Sequence, residues 1–435
     1  MSNSSTFLLS FQRFIKQYLS LGSLLLLMVV IALIWANSPW HHSYHALWET
    51  EIAIVIGDFE INEDLHHWIN DFLMAYFFFM VGLEIKREVI DGQLSTVKQA
   101  VLPVAAAVGG MLLPALLYLA VNYNTPGSSG WGIPMATDIA FAIGLLAFVG
   151  KAVSSSAKTF LTALATADDL GAILIIAFFL TTNVDTGNLL AAAIYFAIML
   201  VSNIIGIRNT WFYFVVGVFG LWVALLLSGV HATLAGVLVA LCIPGRSKIP
   251  EKVYIKRIRK RIANFEESHF REGPLINKRQ LSIAQNIIKD SKASVTPLQR
   301  LEENVKPFVY FFVLPLFALC NAGLTIGENF FDLLMHPISL GVILGLVVGK
   351  LLGIGLISRL LVGLGVGQLP PNTTWSDIGG LGLMAGIGFT MSIFIAELAL
   401  EDQQQLQIAK IGILVGSCIS GFLGILWLKL KKSAL

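Results

Sequence analysis

The sequence predicts an all-α polytopic membrane protein of about twelve transmembrane helices. Three observations carry that reading. Of 435 residues, 56% are hydrophobic and 13% charged, at a mean hydropathy of +0.77, whereas soluble domains are about one quarter charged. Apolar runs of the roughly 20 residues needed to cross a hydrocarbon core recur along the whole chain. The basic residues are sorted between alternate loops, a pattern that a wrong helix count would scatter.

The apolar windows fall near 12–36, 66–85, 100–121, 131–150, 157–182, 188–205, 210–227, 229–245, 307–326, 337–363, 377–398 and 407–430. With both termini cytoplasmic, Arg13, Lys16, Lys86, Arg87, Lys98, Lys151, Lys158, Arg208, Arg359, Lys429, Lys431 and Lys432 all fall on cytoplasmic ends. So does the 246–306 loop, which holds 15 of the 29 Lys and Arg. Only Lys350 and Lys410 lie elsewhere, so the positive-inside rule supports this orientation. Arg13 and Lys16 precede an apolar run with no small-x-small cleavage site after it, so the first run is read as a retained span. The chain 1–435 is treated as one transmembrane domain. Cys242, Cys320 and Cys418 have neither metal-ligand nor disulfide spacing and read as small hydrophobes.

Two segments outside the spans are patterned. "TEIAIVIGDFEIN", 50–62, holds two strand-like runs around Gly57-Asp58, a pair suited to a tight β-hairpin turn on the extracytoplasmic side, or else an irregular loop. In the long basic loop, Ile255, Ile258, Ile262 and Phe265 share a helical face opposite Lys256, Arg257, Arg259, Lys260 and Arg261. That pattern fits a basic amphipathic helix on the anionic inner leaflet, or else a solvated loop.

Four ionisable residues sit at membrane depth. Asp168 is ten residues past Lys158, about 15 Å into a core roughly 30 Å thick, with Asp169 beside it. Asp138 lies at similar depth in the fourth span, and Lys350 near the middle of the tenth. Facing lipid, each would cost at least ~2.5 kcal/mol, so each should face a partner, a cavity or water. One lysine cannot neutralise two adjacent aspartates as well as Asp138. This leaves a cluster partly paired and partly open to a cation.

Backbone breakers accompany these charges. The fourth span has Pro134 beside Ala136-Thr137-Asp138, and the eleventh has Gly380, Gly382, Gly386 and Gly388. Interrupted helices free backbone groups that must line a cavity or pack in protein. The two interrupted spans occupy corresponding places in three-helix groups 100–182 and 337–430, which start on opposite sides and would form inverted repeats, a pointer to a transport site. Asp138 and Lys350 are suited to offset the partial charges of the half-helix ends where the breaks meet.

Several blocks resemble the NhaA family of bacterial sodium/proton antiporters: "ATDIAFAIG" (136–144), "DDLGAI" (168–173), "SGVHATLAGV" (228–237), "LPLFALCNAG" (314–323), "GIGFTMSIFIAELA" (386–399) and "MVGLEIKREV" (80–89). The likeness runs in order from about 20 to 430, broken only within the 246–306 loop. Inverted repeats with broken helices are themselves a trait of this family, so that argument is not independent of the resemblance. The resemblance implies that Asp169 binds the transported cation and proton. It also implies that Asp168 is a neighbour able to pair with Lys350, and that Thr137 and Asp138 sit at the helix crossing on the cation path. It makes Glu84 a funnel acid linked with pH response, a role in which Glu302 is expected to share, and the 50–62 hairpin a homodimer contact. The expected location is the bacterial inner membrane, the expected partners Na⁺ or Li⁺, protons and lipids but no nucleic acid, and no cofactor is expected.

The chain also departs from the family. Thr166-Ala167 replace the usual aliphatic pair before the aspartates, Leu351 replaces a common proline, and Gln299 stands at a basic position. Glu303 and Lys306 stand where some members have histidines, and the cytoplasmic loop is unusually long. These differences bear on the pH set-point rather than on transport. His231 is matched in the family but reads as a packed residue in a Gly/Ala-rich helix.

The chemistry follows from the carboxylates. Burial penalises the charged form, while a hard cation prefers oxygen ligands. Asp169 can therefore hold a proton or Na⁺ but not both, and exposure to one side at a time turns competition into exchange. More than one proton per cation would make exchange electrogenic. An intramembrane aspartyl protease needs acids on different helices sharing a proton, whereas adjacent aspartates on one helix diverge by ~100°. A prenyltransferase needs a second acid that "DDLGA" lacks. The alternatives on the same scaffold are a cation channel or a non-transporting sensor.

Overall fold

The computed structural model describes residues 21–57, 59–179, 181, 184–268, 275–325, 327 and 329–433. The amino-terminal part of the first apolar window, including Arg13 and Lys16, lies outside these residues. Among them, eight helices are long and apolar enough to cross a membrane, or eleven if each of three bent pairs counts as one span. The protein is therefore a mostly helical, multi-span membrane protein.

The first helix, α1 (Leu21–Ala36), is followed by α2 (His41–Trp48) at an angle of 116°. Buried Tyr44 on α2 donates its hydroxyl to the carbonyls of Leu319 and Cys320. Strands β1 (Glu51–Ile56) and β2 (Phe59–Asp64) pair antiparallel from Glu51↔Asp64 to Ile56↔Phe59. Gly57 at the bend has φ +64°, a conformation that glycine adopts without a Cβ penalty. Then come α3 (Leu65–Asp91) and α4 (Val97–Val121).

The fourth span is two pieces: a 3₁₀ helix, Pro126–Met135, and α5 (Ile139–Leu146), bent 45° at the break. α6 (Ser155–Phe179) carries the paired aspartates, followed by α7 (Thr186–Ile205) and α8 (Thr210–Ser228). The predicted 229–245 span shrinks to α9 (Leu234–Cys242), nine residues or about 14 Å. Left-handed Gly229 ends α8, and the turn at 230–233 keeps His231 off the helix on which the sequence placed it. A hydrophobicity window does not register such a break, because it averages the short 230–233 turn with the apolar residues on either side.

The segment read as a long loop contains α10 (Glu251–Glu266) and α11 (Lys278–Ser294), packed on each other. The four singled-out apolar positions do fall on one helix, as the 3.6-residue period required. Next are α12 (Pro297–Asn321) and α13 (Pro337–Gly363). The eleventh span is α14 (Trp375–Ala385) and α15 (Phe389–Ala399), bent 47°, and α16 (Gln403–Ser433) closes the chain.

Close packing is concentrated between α13 and α4 and between α9 and α3. Glycine makes the first contact possible: a Cβ on Gly349 would lie 2.7 Å from Pro114 Cα. Small residues at helix interfaces are the usual means of such approach in membranes, where no hydrophobic force separates helix from lipid.

Candidate functional site

The two breaks meet. Ala136 is extended and Asp138 has ψ 95°, so neither can continue a helix. The Asp138 N–H donates to the carbonyl of Ile387 (2.7 Å), and the Thr137 hydroxyl donates to that of Ala385 (2.8 Å). The freed backbone of the α14 end is thus satisfied by the opposite break.

Asp138 caps two helices at once. Its Oδ1 accepts from Phe141 N (2.9 Å) at the start of α5, and its Oδ2 from Thr390 N (3.2 Å) and Thr390 Oγ1 (2.5 Å) at the start of α15. A carboxylate at two helix N-termini offsets both partial positive charges. Lys350 does not play the mirror role expected of it. Its Nζ donates to Asp168 Oδ2 (2.6 Å) and Thr137 Oγ1 (2.9 Å) instead of to helix-end carbonyls. In a fully buried setting the carboxylate is the stronger attraction, and hydroxyl and amide donors suffice for the carbonyls. Lys350 follows a π-helical turn, Gly345–Gly349, a local widening frequent at functional positions.

Asp168, Asp169, Asp138, Thr137 and Lys350 are each at most 2% exposed and form one cluster. Asp169 differs from its neighbour. Among the described residues its carboxylate has no hydrogen-bond partner, and it lines a narrow cavity of about 10 Å³, roughly the room of one water, together with Glu84, Thr137, Asp138, Tyr310 and Met391. Asp168 is not in that lining. The Thr166 hydroxyl, unusual before the aspartates, donates back to Thr162 O (2.8 Å) and is thereby occupied within its own helix.

Glu84, which lines the cavity, also belongs to an ionic network. Arg87 bridges Glu302 through Nε (3.0 and 3.1 Å), Glu88 through Nη1 (2.7 Å) and Glu84 through Nη2 (3.6 Å). Lys306 reaches Glu302 (2.7 Å) and Glu84 (3.9 Å). Glu84 and Glu302, chosen on resemblance, are therefore together, while Glu303 makes no ion pair among the described residues. Lys410, the other basic residue outside the cytoplasmic set, pairs with Glu397 at 2.6 Å.

The sequence reading missed Thr390, Tyr310, Arg87, Glu88 and the pairing role of Lys306. Thr390 follows the Gly386/Gly388 break by two residues, so a helix-start signal was present there. Nothing in the sequence shows that its hydroxyl meets Asp138, 252 residues away.

Buried carboxylates at the crossing of two broken membrane helices, with an ionic network at Glu84 beside them, define an ion-coupled membrane transporter. The particular kind follows from comparison. The family model described as Na+/H+ antiporter 1 matches residues 12–428. The chain is 47% identical to the Na(+)/H(+) antiporter NhaA of Oleidesulfovibrio alaskensis, over 95% of this chain and 92% of that one. It is 46% identical to NhaA of Sulfurimonas denitrificans (98% and 96% covered) and 45% to NhaA of Helicobacter pylori (97% and 95%). The chain belongs to the NhaA family, and it is a transporter rather than an enzyme. The solved sodium proton antiporter MjNhaP1 from Methanocaldococcus jannaschii overlaps over 93% of this chain and 91% of its own at a TM-score of 0.45 and 13% identity, too loose a likeness to build on.

Proposed function

We propose that the chain exchanges cytoplasmic Na⁺ or Li⁺ for external protons by alternating access, in a bacterial inner membrane with both termini cytoplasmic. One observation carries this: Asp168 is neutralised by Lys350, while Asp169 presents an unshared carboxylate to the cavity. Protonated, Asp169 carries the proton and cannot hold the cation; deprotonated, it and oxygens nearby, Asp168 among them, suit a hard cation. A second proton released from the Asp168–Lys350 pair on cation binding would make exchange electrogenic.

Further parts of this reading rest on form. Groups 100–182 and 337–430 serve as an inverted-repeat core, supported by breaks of nearly equal bend, 45° and 47°, in their middle members. Glu84 and Glu302 tune the pH response through the Arg87–Lys306 network. The β1–β2 pair serves as the extracytoplasmic contact of a homodimer, and the basic 246–306 segment contacts anionic lipid.

Everted vesicles energised to acid inside, with an acid-quenched dye, test the exchange. Wild type dequenches on addition of Na⁺ or Li⁺, and Asp169→Asn, folded and inserted, does not. Dequenching by the variant moves the site elsewhere; silence of the wild type at every pH leaves a sensor; proton movement uncoupled from Na⁺ indicates a channel. A rate indifferent to membrane potential removes the electrogenic part.

A further inference from the structure

Between 246 and 296 the chain has thirteen Lys and Arg against five Asp and Glu, a net +8, while the whole protein is +2. The rest of the chain is therefore net negative, and this segment is its basic pole. The segment is also built. Asn277 begins α11 with a capping box to Gln280. Lys248 N and Ile249 N both donate to Ala293 O (3.0 and 3.2 Å), closing the base. Tyr254 meets Ser291 (3.0 Å), and Arg261 pairs with Asp290 (2.8 Å), so α10 and α11 run antiparallel as a helical hairpin.

Each helix keeps an apolar stripe out of that contact. Ile255 and Ile262, seven apart on α10, are 42% and 47% exposed; Leu281 and Ile288, seven apart on α11, are 45% and 55% exposed. At ~100° per residue, the α10 stripe lies roughly 100° round from the face bearing Tyr254 and Arg261. By the same measure the α11 stripe lies roughly 130° round, in the same rotational sense, from the face bearing Gln280 and Asp290. Equal sense on antiparallel helices puts both stripes on one side of the hairpin. Next round come exposed Lys252 and Arg259 on α10 and exposed Lys278, Lys289 and Lys292 on α11.

We propose that this side of the hairpin is a docking surface for the anionic cytoplasmic face of the bilayer, with Ile255, Ile262, Leu281 and Ile288 entering the headgroup boundary between two rows of basic residues. The proposal rests on the cytoplasmic orientation given above and deepens the lipid contact stated there. Charge selects an anionic occupant, and apolar stripes flanked by Lys and Arg match an interfacial helix pair. The tether selects a membrane over a soluble partner. Leu298 N donates to Pro244 O (3.2 Å), which holds the hairpin base against the end of α9 and the start of membrane-crossing α12. Only Val295 and Thr296 separate α11 from α12, on which Glu302 and Lys306 sit, so docking is mechanically joined to the ionic network.

The test uses the full chain with Cys242, Cys320 and Cys418 replaced by Ser and a polarity-sensitive dye on Ile262→Cys, Ile288→Cys or, on the opposite side, Lys260→Cys. It is reconstituted in phosphatidylcholine with or without phosphatidylglycerol. Emission at positions 262 and 288 should shift to the blue only in anionic vesicles and return in high salt, while position 260 stays water-like. Lys252→Gln/Arg259→Gln/Lys292→Gln should at least halve the shift. Water-like emission at 262 and 288 in anionic vesicles overturns the proposal, as does an equal shift in neutral ones or a shift that needs added soluble protein. Na⁺ exchange in the same vesicles keeps the two readings separate: active exchange with a water-exposed dye rejects docking alone, and a docked dye without exchange rejects the transport reading alone.

Discussion

Asp168 and Asp169 are adjacent yet chemically unequal, and Lys350 makes the difference. It neutralises Asp168 at 2.6 Å and leaves Asp169 to the cavity. A buried pair stripped of one partner leaves an uncompensated charge, a cost of about 3–5 kcal/mol. Asp168→Asn or Lys350→Met alone should therefore lower the thermal midpoint in detergent, and the double variant should recover much of the loss. A double variant no better than the worse single would show that the pair does not govern stability. Thr390 permits a subtler test. Thr390→Val keeps shape but removes the hydroxyl donor to Asp138, worth about 1.5–3 kcal/mol for a bond to a charged group. Na⁺ exchange should weaken about tenfold or more at low Na⁺, with rescue by Thr390→Ser; equal activity of Val and wild type would exclude a part for that bond. The aspartates, the lysine and the broken backbone were legible because each violates what a lipid-facing helix tolerates. Thr390 and Arg87 were not, since a threonine in a helix and an arginine near the end of a span violate nothing.

At the scale of elements, the crossing depends on how closely α13 approaches α4. Gly349→Leu would drive its side chain into Pro114, whereas Gly355 faces open space. Gly349→Leu should lower the yield of folded, monodisperse protein severalfold by gel filtration while Gly355→Leu leaves it near wild type. If both behave as wild type, the packing is not as tight as the geometry requires. Apolar periodicity located the long helices well, because about 20 apolar residues are a strong signal. It misjudged 229–245, where Gly229 and the following turn shorten the helix to Leu234–Cys242 within a window that is apolar on average. It also could not show that 246–306 folds into two helices closed at Lys248–Ala293, because hairpin closure is a contact between distant residues.

For the whole molecule, charge is divided between a basic hairpin and a net negative remainder that includes the buried acids. Because residues 248 and 293 touch, replacing 250–292 by a short Gly-Ser linker should remove the hairpin without straining α9 or α12. Exchange should persist in everted vesicles with a displaced pH profile, since the Arg87–Glu302–Lys306 network would lose its tether. Complete loss of exchange by an inserted deletion would make the hairpin part of the transport path itself.

Sequence by itself determined the membrane as solvent, the positions of the long helices, the sorting of basic residues and the presence of charges at depth. Each is a local consequence of transfer free energy, which every residue meets wherever the chain folds. Only the tertiary structure decided which carboxylate is neutralised, that one aspartate caps two helices from different halves of the chain, and that a cavity joins Asp169 to Glu84. Those outcomes depend on ångström-scale distances between residues hundreds of positions apart. Attraction and hydrogen bonding fall off over that same scale, so no one-dimensional pattern encodes them visibly.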